Sequence, residues 1–157
     1  MVWGFRIGMV TYAAKGLEAK HYAAIENKTM GAIRATISMA SRPAQVMLIK
    51  AMQTPNYRQE KAAAVRLVEA KYRRVKQVMA SRPVPPTLEP LPFNSGYFMC
   101  FRLKRGSAEE LRQRLLDQES IGTIAMDERL LRIAFSAVEP DQIDELFATV
   151  YRLAQSL

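Results

Sequence analysis

Apolar and polar residues alternate most regularly in the last sixty residues of the chain. Residues 97–103 and 130–136 have a period of two, which predicts two strands with one buried face each. The predicted inward positions are Tyr97, Met99, Phe101 and Leu103 in the first strand, and Leu131, Ile133 and Phe135 in the second. A third strand is predicted at residues 121–126, before the polar turn 127–129.

Two helices are predicted between and after these strands. Ser107 and Glu110 form a capping box, which opens a helix with Leu111 and Leu115 turned inward. Pro140 opens the last helix, whose apolar stripe comprises Ile143, Leu146, Phe147, Val150 and Leu153. The order strand, helix, strand, strand, helix predicts a small α+β domain over residues 97–157.

The first eighty residues follow a different pattern. Residues 5–12 are apolar apart from Arg6 and Gly8, which predicts a buried strand. Three helices should follow: residues 17–40, residues 43–53 after a break at Ser41-Arg42-Pro43, and residues 54–81 with Thr54 as the cap and Pro55 in the first turn. Five prolines between residues 82 and 92 exclude a helix or a central strand. We therefore predict a connector at residues 81–96 between domains at 1–80 and 97–157.

Composition limits the possible classes of function. The chain has 157 residues, of which 49% are hydrophobic and 24% are charged. This composition is typical of an ordinary globular protein. One cysteine and one histidine argue against a disulfide framework and against a metal site. No apolar run reaches the roughly 20 residues of a membrane span, and the N-terminus lacks a secretory pattern. We expect a cytoplasmic protein with no membrane partner.

The net charge of +8 raises nucleic acid as a partner. Seven of the cations lie in the predicted helix: Arg58, Lys61, Arg66, Lys71, Arg73, Arg74 and Lys76. Its apolar residues recur at steps of three and four, and the cations occupy the remaining faces. A solvated helix surface is therefore favoured, and a noncatalytic basic module that binds nucleic acid remains the alternative.

Two arginines stand inside strand-like apolar runs, about 126 positions apart. A guanidinium is always charged and is costly to bury unless an anion receives it. Arg132 falls on the face opposite Leu131 and Ile133, where it could grip a carboxylate or pair with a nearby acid. Arg6 lies between Gly4 and Gly8, which would allow a phosphate to approach the backbone, although the same run could be a bulged strand.

These runs, together with Asn94-Ser95-Gly96-Tyr97-Phe98, resemble the C-terminal part of a class I/II aminotransferase of fold type I, which depends on pyridoxal phosphate. The resemblance implies an α/β fold: the last strand and helices of the large domain, followed by the small α+β domain. It implies that Arg6 binds the cofactor phosphate and that Arg132 binds the substrate α-carboxylate. Ser41 resembles a segment that reaches the neighbouring subunit's site, and Asn94 resembles the entrance to the small domain.

The same resemblance places the catalytic Schiff-base lysine ahead of Arg6, before Met1. Lys15 and Lys20 follow Arg6 and do not match that position. The chain is therefore expected to be a C-terminal fragment that is inactive alone, with no catalytic residue of its own. The intact homodimer would move an amino group between an amino acid and a 2-oxo acid. Another fold-type-I activity, a lyase or decarboxylase, stays open.

Overall fold

A computed structural model describes residues 3–94 and 96–157. The chain forms two compact units, Met1–Lys61 and Ala62–Leu157. These units are defined by contacts between residues, so they do not test the predicted domain boundaries at residues 80 and 97. Those boundaries stay a prediction.

A four-stranded antiparallel sheet organises the second unit. Its strands are β1 Leu88–Pro90, β2 Met99–Leu103, β3 Ile124–Ala125 and β4 Leu130–Ile133, in the order β1-β2-β4-β3. Residues on one face are almost fully buried, including Met99, Phe101, Leu103, Leu131 and Ile133. The alternation in residues 97–103 and 130–136 therefore predicted the core face correctly, apart from Tyr97, which is 43% exposed.

Helices α4, Ala108–Glu119, and α5, Ile143–Gln155, supply the rest of this core. The capping box is confirmed by a 3.0 Å hydrogen bond from the Glu110 backbone N–H to Ser107 Oγ. All five predicted stripe residues of α5 are buried. Phe101, Phe147 and Tyr151 meet edge to face, with ring centroids 5.9–6.2 Å apart. The predicted order of strands and helices is thus confirmed for this part.

Several strand boundaries were predicted wrongly. The strand at residues 121–126 contains only Ile124 and Ala125, and the one at 130–136 ends at Ile133, where a 3-10 turn at Phe135–Ala137 follows. The proline-rich segment contains β1, which the sequence did not predict. This strand lies at the sheet edge, where Pro90 removes no hydrogen bond that the sheet needs.

The first unit contains helices α1, Ala19–Thr36, and α2, Arg42–Met52. The strand predicted at residues 5–12 is wrong: a 3-10 turn at Trp3–Phe5 leads into irregular chain whose residues 8–12 are exposed. A strand needs a neighbour to receive its backbone hydrogen bonds, and the described residues offer it none. Within the described part of this unit, Ala44 is the one buried residue of the core.

Helix α3, Tyr57–Ser81, differs from its prediction at both the cap and the buried face. Thr54 does not precede it directly, because α3 begins at Tyr57; Thr54 Oγ1 instead donates to the Ala51 carbonyl at the end of α2, 2.7 Å away. Lys71 was predicted to lie on a solvated face, yet it is 5% exposed and lies beside the core residues Val75 and Val78.

Candidate functional site

Arg132 stands on the sheet face opposite the core. Its strand neighbours Leu131 and Ile133 are buried, whereas Arg132 itself is partly exposed. Across the sheet it pairs with Cys100 of β2 and Ile124 of β3. Paired residues project from the same face, so Arg132 lies in the middle of the open side of the sheet, as its alternation predicted.

The Arg132 guanidinium is held by an aromatic ring rather than by an acid. Its Cζ lies 4.6 Å from the centroid of Phe98, within the range of a cation–π interaction. Among the described residues, none accepts a hydrogen bond from the Arg132 side chain or forms an ion pair with it. The predicted alternative of a structural pair with a nearby Asp or Glu therefore finds no support in the described chain, and the guanidinium donors remain available for an anion.

The sequence pattern did not single out Phe98 as a functional residue, although its position in the alternation indicates the face on which it lies. It lies two positions before Cys100, which places it by alternation on the Cys100 face. That this is also the face of Arg132 depends on the pairing of Cys100 with Arg132, which only the tertiary structure provides.

Arg6 and Ser41 line the same cavity of the first unit, which has a volume of about 360 Å³. Gly8, Gln45 and Ile49 also contribute to its wall. Both Arg6 and Ser41 are exposed, and neither side chain forms a hydrogen bond or ion pair with another described residue. A guanidinium and a hydroxyl in one cavity are suitable donors for a phosphate group.

The backbone of Arg6 has an uncommon conformation, with φ +51°. For a residue that has a Cβ, this left-handed backbone conformation costs on the order of 1 kcal/mol. The flanking glycines do not explain it: a Cβ added at Gly4 or Gly8 would meet nothing within 4 Å. Within the described residues, the surroundings of Gly4 and Gly8 therefore do not require glycine, and the expected approach of a phosphate to this backbone stays a prediction.

Asn94 is engaged locally in the second unit. Its Oδ1 accepts a 3.1 Å hydrogen bond from the Gly96 backbone N–H, which makes a tight turn before β2. Ser95 of the predicted motif lies outside the described residues. The assignment of Asn94 to a site, like those of Arg6, Ser41 and Arg132, remains a prediction.

Among the described residues, the other candidate groups form no cluster typical of a catalytic or metal site. His21 Nδ1 accepts from the Glu18 backbone N–H at 3.0 Å, so it caps α1. No cluster of three His, Cys, Asp or Glu side chains exists in residues 3–94 and 96–157. Over the same residues, no helix combines the length and apolarity that crossing a bilayer requires.

Comparisons with known proteins agree on one family. The model of the family described as aminotransferase class I and II matches residues 2–150. An aminotransferase from Anaerococcus prevotii DSM 20548 has a similar solved structure, with a TM-score of 0.65 and 21% sequence identity. That similarity covers 87% of this chain and 32% of that one, so this chain spans about a third of its length. No curated protein matches. The family match over nearly the whole chain shows that this protein belongs to the class I and II aminotransferases.

Proposed function

We propose that this chain is the C-terminal segment of a pyridoxal-phosphate enzyme that moves an amino group between an amino acid and a 2-oxo acid. The observation that carries the proposal is Arg132: a partly buried arginine on an open sheet face with no acidic partner among the described residues. Apart from its contact with the Phe98 ring, this cation has no described partner, and a ligand anion would offset the cost of its partial burial. The α-carboxylate is common to every amino acid and 2-oxo acid.

Arg132 would bind that carboxylate through two parallel N–H···O bonds, which fix its orientation as well as its charge. Fixing the carboxylate also limits the directions in which the Cα–H bond can point, and so contributes to catalysis by orientation. The neighbouring Cys100 and Ile124 add no charge that would compete.

The cavity at Arg6 and Ser41 suits the cofactor phosphate, because it brings a cation and a hydroxyl donor to one open space. Pyridoxal phosphate, when bound, supplies the electron sink for the reaction. The chain's own part is to hold the phosphate at Arg6 and the substrate at Arg132. Whether the reaction is transamination or another fold-type-I reaction, a lyase or decarboxylase, both arginines would keep these roles.

The same proposal includes a homodimer, with Ser41 near a shared site, and predicts that these 157 residues do not transaminate alone. Incubation with pyridoxal phosphate, an amino acid and 2-oxoglutarate should give no turnover above background. A single lysine trapped by borohydride in this chain, or measurable turnover, would contradict the assignment of the catalytic lysine elsewhere.

Arg132→Leu in the intact enzyme tests the assignment of the carboxylate site. We expect kcat/KM for amino acids to fall by roughly two to four orders of magnitude, since charge-assisted binding of the carboxylate is lost. Arg132→Lys should recover only part, because lysine keeps the charge but lacks the planar fork.

Arg102→Leu is the matched control. Arg102 lies on β2, exposed, with Glu89 3.9 Å away as an acidic partner, so its loss should leave kcat/KM within about twofold. Normal turnover in Arg132→Leu would overturn the proposed function. So would loss of the cofactor in Arg132→Leu combined with its retention in Arg6→Leu.

A further inference from the structure

We propose that Phe98 is a positioning residue that holds Arg132 in place while leaving its hydrogen-bond donors free for the substrate. The inference rests on the proposed function of Arg132 and adds a residue for which no role has been assigned. Three observations carry it: the cation–π contact, the absence of an acidic partner in the described chain, and the way in which Phe98 is anchored.

The contact itself explains how a lone guanidinium can be tolerated on the sheet. The Phe98 ring face carries partial negative charge and lies 4.6 Å from Arg132 Cζ. An aspartate or glutamate in its place would bind the N–H fork of the arginine and compete with the substrate carboxylate. An aromatic face attracts the cation without accepting its in-plane hydrogen bonds, so all five N–H donors stay available.

Phe98 lies outside the regular strand, since β2 begins at Met99, and therefore needs another anchor. The Ser136 backbone N–H donates to the Tyr97 carbonyl at 3.3 Å. Lys71 Nζ in turn donates to the Ser136 carbonyl at 3.1 Å. The segment that carries Phe98 is thus tied to the chain that follows β4, so both ends of the Phe98–Arg132 pair are fixed to the same part of the sheet.

Side-chain packing also limits the movement of the Phe98 ring. The Tyr97 and Phe98 rings meet edge to face, with centroids 6.2 Å apart. Phe98 is nevertheless 46% exposed and does not belong to the buried core cluster. An exposed aromatic residue beside an unpaired cation is more readily explained by the cation than by stability.

The first test uses the chain as it stands. A ring current should shift the NMR resonances of the Arg132 Hε and Hδ protons upfield in the wild type and in Phe98→Tyr, and the shift should vanish in Phe98→Leu. Because Phe98 does not belong to the buried core cluster, all three proteins should fold, and the amide spectrum of β4 checks this. Absence of an upfield shift in the folded wild type would overturn the proposal.

The second test uses the intact enzyme. Phe98→Leu should raise KM for the amino acid by roughly three- to tenfold, with kcat within about twofold, as expected for a partly exposed cation–π contact. Phe98→Tyr should restore KM, because it keeps the ring face. A normal KM in Phe98→Leu, or a KM in Phe98→Tyr as high as in Phe98→Leu, would refute the role of the ring.

These outcomes separate the two hypotheses. If Arg132→Leu is impaired and Phe98→Leu is normal, the carboxylate site stands and the positioning role falls. If Arg132→Leu is normal, the proposed function itself fails, whatever Phe98→Leu does.

Discussion

Lys71 offers a direct test of how the second unit is held together. Its side chain is 7% exposed, its Nζ donates to the Ser136 carbonyl at 3.1 Å, and Glu139 lies 3.9 Å away. Glu139 is 68% exposed, so the ion pair itself should contribute little. The contribution of Lys71 should come from the packing of its stem and from its hydrogen bond to the backbone.

The magnitude follows from what Lys71→Ala removes. Three methylene groups leave the core, which costs about 2.4 kcal/mol at about 0.8 kcal/mol each. The charged hydrogen bond adds about 1.5–3 kcal/mol. The variant no longer has to bury an ammonium group, which offsets part of this loss of stability. We therefore expect the free energy of unfolding to fall by about 3 kcal/mol. Lys71→Met keeps most of the stem and should cost about 1 kcal/mol by the same reasoning.

Urea unfolding, followed through the amide NMR signals of β4, measures these differences. Arg66→Ala on the same helix is the control, because Arg66 is exposed and its loss should change stability by no more than about 0.5 kcal/mol. If Lys71→Ala matched this control, Lys71 would be a solvated cation, as the helix pattern had predicted. If Lys71→Met equalled Lys71→Ala, the packing of the stem would contribute nothing.

Three further predictions concern the same unit. Burial raises the pKa of the Tyr151 hydroxyl above its usual value, although the charge of Arg82 lowers it in part. The folded state therefore holds the hydroxyl proton more tightly than the unfolded state does. The resulting contribution to stability is present below about pH 10 and is lost above that pH. Since no described residue pairs with the Tyr151 hydroxyl, Tyr151→Phe should not destabilise at pH 7 and should flatten the alkaline end of a plot of unfolding free energy against pH; a loss above about 1 kcal/mol at pH 7 would reveal a missed partner. Ser107→Ala should lower the unfolding free energy by about 1 kcal/mol through loss of the α4 cap, whereas Ser107→Asp should retain it. Binding of duplex DNA to α3 should be weak and lost at physiological salt, because Arg73 and Arg74 already pair with Glu69 and Asp144; a complex stable at that ionic strength would revive the nucleic-acid alternative.

The sequence alone predicted the elements whose signal lies within a few consecutive residues. The stripe of α5, the Ser107 cap and the alternation around Arg132 were all predicted correctly. Each depends on a local period or a local hydrogen bond, and these are properties of the chain itself. The resemblance to class I/II aminotransferases was also available from the sequence, and the family match confirms it.

Errors arose where a residue's state depends on a distant partner. The predicted strand at residues 5–12 is apolar enough, but no described strand pairs with it. The five prolines of residues 82–92 exclude a helix and a central strand but permit an edge strand, and the sequence does not say which strand lies at an edge, so β1 was not predicted. Lys71 looked like its neighbouring cations, and only the Ser136 carbonyl, 65 positions away, explains its burial.

For the candidate site too, local features followed from the sequence, and contacts between distant residues did not. The sequence by itself determined that Arg132 faces away from the core, because a period of two requires it. Only the tertiary structure decided that Phe98 lies against its guanidinium, and that Arg6 and Ser41 share a cavity. The physical reason is that periodicity sets which side a residue faces, whereas strand register and the packing of separate segments set what it meets there.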